Sequence, residues 1–113
     1  MSVPDYPDDA DGDALRRVAG SGSDMSKPML VDFMIAAGAG ATESIATGAR
    51  ALGYVAAIDR NDRGERTVYC SKQMLLDYDS VITAQRELDE MSAPFGGRTD
   101  GWGTSGNLEA PRP

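Results

Sequence analysis

At 113 residues the chain has room for one domain with one core, and 41% apolar with 26% charged residues mark a folded, water-soluble sequence rather than a disordered one. A formal charge of -7 argues against direct binding to nucleic-acid phosphates, which takes clustered Lys and Arg, and makes a basic partner electrostatically easier. With no histidine and a single cysteine, zinc chemistry, histidine-dependent triads and an intramolecular disulfide are excluded.

Residues 1–10 carry Pro4 and Pro7 among Asp5, Asp8 and Asp9, too little apolar surface to offset ordering entropy, and read as a flexible acidic tail. They lack the basic and apolar regions of a secretory leader, and nowhere does the chain approach the roughly 20 apolar residues of a membrane helix. A cytoplasmic protein is expected. Residues 11–107 form the expected domain and 108–113 a second flexible tail.

The domain begins with "DGDALRRVAGSGS", a short helix through Ala19 that Asp11 or Asp13 can cap and "GSGS" ends, with Leu15 and Val18 as its apolar face. "KPMLVDFMIAA" alternates with the period of a strand: Met29, Val31, Phe33 and Ile35 share one side, and Leu30, Asp32 and Met34 the other. Both sides are largely apolar, so this strand is expected to be central. "GAGATESIATGARALG" sets Ile45, Ala49 and Leu52 at helical spacing, with Gly53 placed to end the helix in a left-handed conformation.

"YVAAIDR" and "RTVYCSK" are β-prone runs around "NDRGE", whose Asn61, Asp62 and Gly64 tolerate turn geometry; a hairpin follows. In "DYDSVITAQRELDEMS", Asp77, Asp79 or Ser80 caps a helix whose stripe is Val81, Ala84, Gln85, Leu88 and Met91. "GRTDGWGTS" then supplies a last, irregular strand, since glycine inside a strand marks a bulge or a close backbone approach. The order predicts an α+β, ferredoxin-like two-layer sandwich: a four-stranded antiparallel sheet, two main helices and an extra N-terminal helix. Gly101 and Gly103 flank the sole tryptophan, Trp102, and are expected to let its ring close on the sheet edge as a core plug.

Little in the chain points to chemistry. "GAGATES", Gly38 to Ser44, enters a helix as phosphate-cradling turns do, but it lacks the lysine of a P-loop, and Glu43 would repel an anion. Cys70 sits in an apolar run without a basic partner and reads as a buried structural thiol. The alternating charges of "DRNDRGER" suit a solvated hairpin tip, and the carboxylates around the last helix show no acid/base pairing in an apolar pocket. No catalytic, cofactor or metal site is expected.

"DGDALRRVAGSGSDMSKP", "VDFMIA", "ALGY" and above all "DGWGT" together resemble the RraB family of regulators of ribonuclease E activity, over roughly Asp11 to Asn107. The resemblance implies a ferredoxin-like sandwich and a non-enzymatic protein that binds ribonuclease E outside its catalytic chemistry and alters the RNA-degrading assembly. Expected partner contacts are Arg98, Asp100 and Trp102 on the C-terminal segment, with Asp77, Asp79 and Glu87 contributing charge. The alternative is a small-ligand-sensing domain, approached through the Gly38–Ser44 turn. An open apolar sheet face would also invite a homodimer.

Overall fold

A computed structural model describes residues 6–38, 40–60, 62–63 and 66–107. The expected turn residues Asn61 and Gly64, Ala39 of the glycine-rich turn, and residues 1–5 and 108–113 of the two expected tails lie outside the described residues. In chain order the elements are α1 (Ala10–Gly20), β1 (Met29–Ala37), α2 (Thr42–Ala51), β2 (Val55–Arg60), β3 (Arg66–Met74), α3 (Tyr78–Ser92), a 3-10 turn at Ala93–Phe95, and β4 (Arg98–Thr104).

The sheet order is β2-β3-β1-β4 with every neighbouring pair antiparallel, the ferredoxin-like plan expected from the element order. β1 is central, between β3 and β4. Met29, Val31, Phe33 and Ile35 are buried under the helices, and Val68 and Cys70 of β3 join them. Leu15 of α1, Ile45, Ala46 and Ala49 of α2, and Val81 and Leu88 of α3 complete this core. The other sheet face is open, with Leu30, Val55 and Tyr69 exposed.

Local sequence explains how these pieces join. α2 ends in a left-handed cap at Gly53 (φ +96), where the Gly53 amide donates to Arg50 and the Tyr54 amide donates to Ala49, each at 3.0 Å. That cap turns Tyr54 inward, and its ring meets Phe33 edge-on with centroids 6.2 Å apart. α3 is capped by Asp77, whose side chain accepts from the Ser80 amide at 2.7 Å.

α1 begins earlier than its sequence suggests. Asp9, rather than Asp11 or Asp13, caps it by accepting from the Gly12 amide at 2.7 Å. The packed chain extends upstream of the cap: Tyr6 is buried, and Arg16 donates to the carbonyls of Tyr6 and Pro7. Gly12 makes this approach feasible, because a Cβ there would lie 1.8 Å from the Pro7 carbonyl oxygen.

Candidate functional site

The most characteristic stretches of the sequence converge where β4 passes α1. Phe33 of β1 pairs with Trp102 and Ile35 with Thr99, so β4 carries a bulge between them. Gly101 occupies it at φ +96, a conformation that a side chain would strain. The extra residue returns Trp102 to the helix-covered face, where it packs on the core half-buried. Gly103 has no positive φ, and a Cβ there would meet nothing within 4 Å. The expectation for the two flanking glycines therefore holds for Gly101 alone.

Trp102 is held by more than packing. Its indole Nε1–H donates to Asp11 Oδ1 at 2.8 Å, and Gln85 Nε2 of α3 donates to the same oxygen at 3.3 Å. Two residues earlier, Asp9 Oδ2 accepts from the Tyr78 hydroxyl at 2.6 Å. This bond and then the Gly12 amide hold the Asp9 carboxyl below its usual value, and the same bond raises Tyr78. "DGDAL" and "DGWGT" thus supply the two halves of one lock joining α1, α3 and β4. Asn107 extends it, accepting from the Asp24 amide at 2.8 Å and donating to the Asp24 carbonyl at 2.7 Å.

The six expected contact residues fall into separate places. Trp102 and Asp77 are already engaged within the fold. Arg98 and Asp100 are exposed on β4, an edge strand. Asp79 and Glu87 lie on α3 beside a cleft of about 350 Å³ that also takes in Tyr54, Lys72, Ser80 and Thr83. Cys70 is fully buried, and burial pushes its thiol up to about 11, so it is protonated at neutral pH. Among the described residues, no three His, Cys, Asp or Glu side chains are grouped to hold a metal ion, and no helix is long and apolar enough to cross a membrane.

The family model described as regulator of ribonuclease activity B, RraB, matches residues 8–104. The chain belongs to the RraB family. The matched span starts beside the Asp9 cap and ends at the last residue of β4, enclosing the whole Asp11–Trp102 lock. A search of curated proteins found no match.

Sequence reasoning missed Asp9, Tyr78 and Lys72. The first had a usable signal, because Asp9 stands three residues before Gly12, the spacing at which a cap side chain reaches an amide. Lys72 had one too: it shares strand parity with Val68 and Cys70, which places a lysine on the covered face.

Proposed function

We propose that this RraB-family chain is a non-catalytic cytoplasmic protein that regulates a ribonuclease by binding it, and that the ribonuclease is ribonuclease E. The family match over residues 8–104 carries this reading. Two further observations support it. The charge of -7 steers the chain toward basic protein surfaces and away from the RNA substrate itself. The motif residues with the greatest chemical capacity, Asp11 and Trp102, are bonded to each other, so the working surface is sought elsewhere.

Arg98 and Asp100 on the β4 edge are the contacts we assign to the partner, with Asp79 and Glu87 contributing long-range attraction. Trp102 supports that strand from its covered face, and Asp77 caps α3. A second copy would pack on the open sheet face around Leu30, Val55 and Tyr69, and light scattering over a concentration series checks it.

The test uses the purified chain, purified ribonuclease E and a defined RNA. Direct binding with altered RNA cleavage is expected, and affinity should weaken as salt rises from about 50 to about 500 mM because exposed charges are then screened. Arg98→Glu combined with Asp100→Lys should weaken binding about tenfold or more while leaving the thermal midpoint unchanged. Absence of binding and of any effect on cleavage at low salt would reject ribonuclease E as the target.

A further inference from the structure

The cleft beside α3 has features, Tyr54 and Lys72 above all, that the regulatory reading does not use, and that reading draws only on the long-range charge of Asp79 and Glu87. Its wall is an i, i+4, i+8 stripe of Asp79, Thr83 and Glu87, spanning about 12 Å along the helix, and β3 contributes Lys72 from the sheet. Tyr54 lines the same cleft at 4% exposure, and its buried hydroxyl has no hydrogen-bond partner among the described residues. Buried polar groups in folded proteins are nearly always paired, so an orphan phenol points to a partner supplied from outside. The Lys72 ammonium stands 5.0 Å from the Tyr54 ring centroid. Among the described residues, neither it nor the Asp79 and Glu87 carboxylates make an ion pair.

We propose that this cleft binds a small zwitterion of the α-amino acid class, its carboxylate received by Lys72 and the Tyr54 hydroxyl and its ammonium by Glu87. Charges of both signs line one cleft without neutralising each other. A simple acid would meet repulsion from Asp79 and Glu87, and a simple amine repulsion from Lys72, whereas a zwitterion satisfies both walls with charge-assisted hydrogen bonds. The volume of 350 Å³ lies at the small end of ligand sites, as a free amino acid requires. Burial first, and then the Glu87 charge, push the Tyr54 hydroxyl up to about 12, so it remains a hydrogen-bond donor at neutral pH. The side chain of the ligand would extend toward Asp79 and Ser80 at the cleft rim.

The experiment screens the free amino acids one by one, at millimolar concentration, against the purified full chain by thermal unfolding, followed by titration calorimetry. At least one should raise the midpoint saturably, because a ligand of the folded state stabilises it. Its decarboxylated amine and its deaminated acid should each bind about tenfold more weakly or worse. Lys72→Met and Glu87→Gln should each lose about tenfold in affinity. Tyr54→Phe should bind more weakly while its unliganded midpoint is unchanged or higher, since no protein hydrogen bond is lost.

Any of four results overturns the proposal: no amino acid binds, the singly charged analogues bind equally well, folded Lys72→Met and Glu87→Gln bind like the parent, or Tyr54→Phe lowers the unliganded midpoint. The last would mean that water already satisfies the hydroxyl. No ribonuclease enters these measurements, so their failure and that of the regulatory reading are separable.

Discussion

The two sides of α3 use polar groups in opposite ways. At the α1–β4 lock, Tyr78 bonds to Asp9, and Gln85 and Trp102 both bond to Asp11. At the α3–β3 cleft, Lys72 rests over the Tyr54 ring, but among the described residues the Tyr54 hydroxyl has no hydrogen-bond partner and neither Lys72 nor Glu87 makes an ion pair. A satisfied network fixes one arrangement of backbone, whereas an unsatisfied one stores capacity for something that arrives later. The contrast separates residues that make the fold from residues free to act.

Breaking the lock should have the largest effect. Trp102→Ala removes the indole packing and its bond to Asp11 together and should lower stability by about 3 kcal/mol in urea unfolding. Gly12→Ala should follow at about 1–3 kcal/mol, because the new methyl group displaces the Pro7 carbonyl and the chain ahead of α1. In the cleft, Lys72→Met should change stability by less than about 1 kcal/mol, since among the described residues it breaks no ion pair and gives up only the contact with the Tyr54 ring. A cleft substitution as damaging as Trp102→Ala would erase the distinction.

pH sharpens the comparison more gently. The folded Asp9 carboxyl titrates below its usual 3.8, so the stability it contributes is present above that value and is lost as pH falls through the lower folded value. Tyr78→Phe should flatten that acid limb in pH-dependent melts. On the alkaline side, Cys70 is raised from 9.0 to about 11 and Tyr54 from 10.0 to about 12. Their contribution is therefore full below pH 9 and is lost as pH climbs through the folded values, and Cys70→Ala should flatten the loss between 9 and 11.

Much of the architecture was legible because it rests on local periodicity. The alternation of Met29, Val31, Phe33 and Ile35 fixed a covered strand face, and the helical spacing of Ile45 and Ala49 fixed the α2 contact. The start of α1 was less so: three aspartates stand within five residues, and which one caps depends on Pro7 folding back over Gly12, a contact that spacing does not encode. The Asp11–Trp102 bond joins residues 91 apart in sequence and became visible only with the fold. The cleft was hidden for the same reason, since Lys72 and Glu87 carry unremarkable charges until β3 and α3 bring them together.

A double-mutant cycle between Asp11→Ala and Trp102→Phe, read by urea unfolding, tests most directly whether these motif residues act as one structural lock. The expected coupling is at least about 1 kcal/mol, because the carboxylate and the indole N–H are each other's partners across α1 and β4. Additive effects, with coupling near zero, would contradict the lock and return Trp102 to the list of residues free to meet a partner.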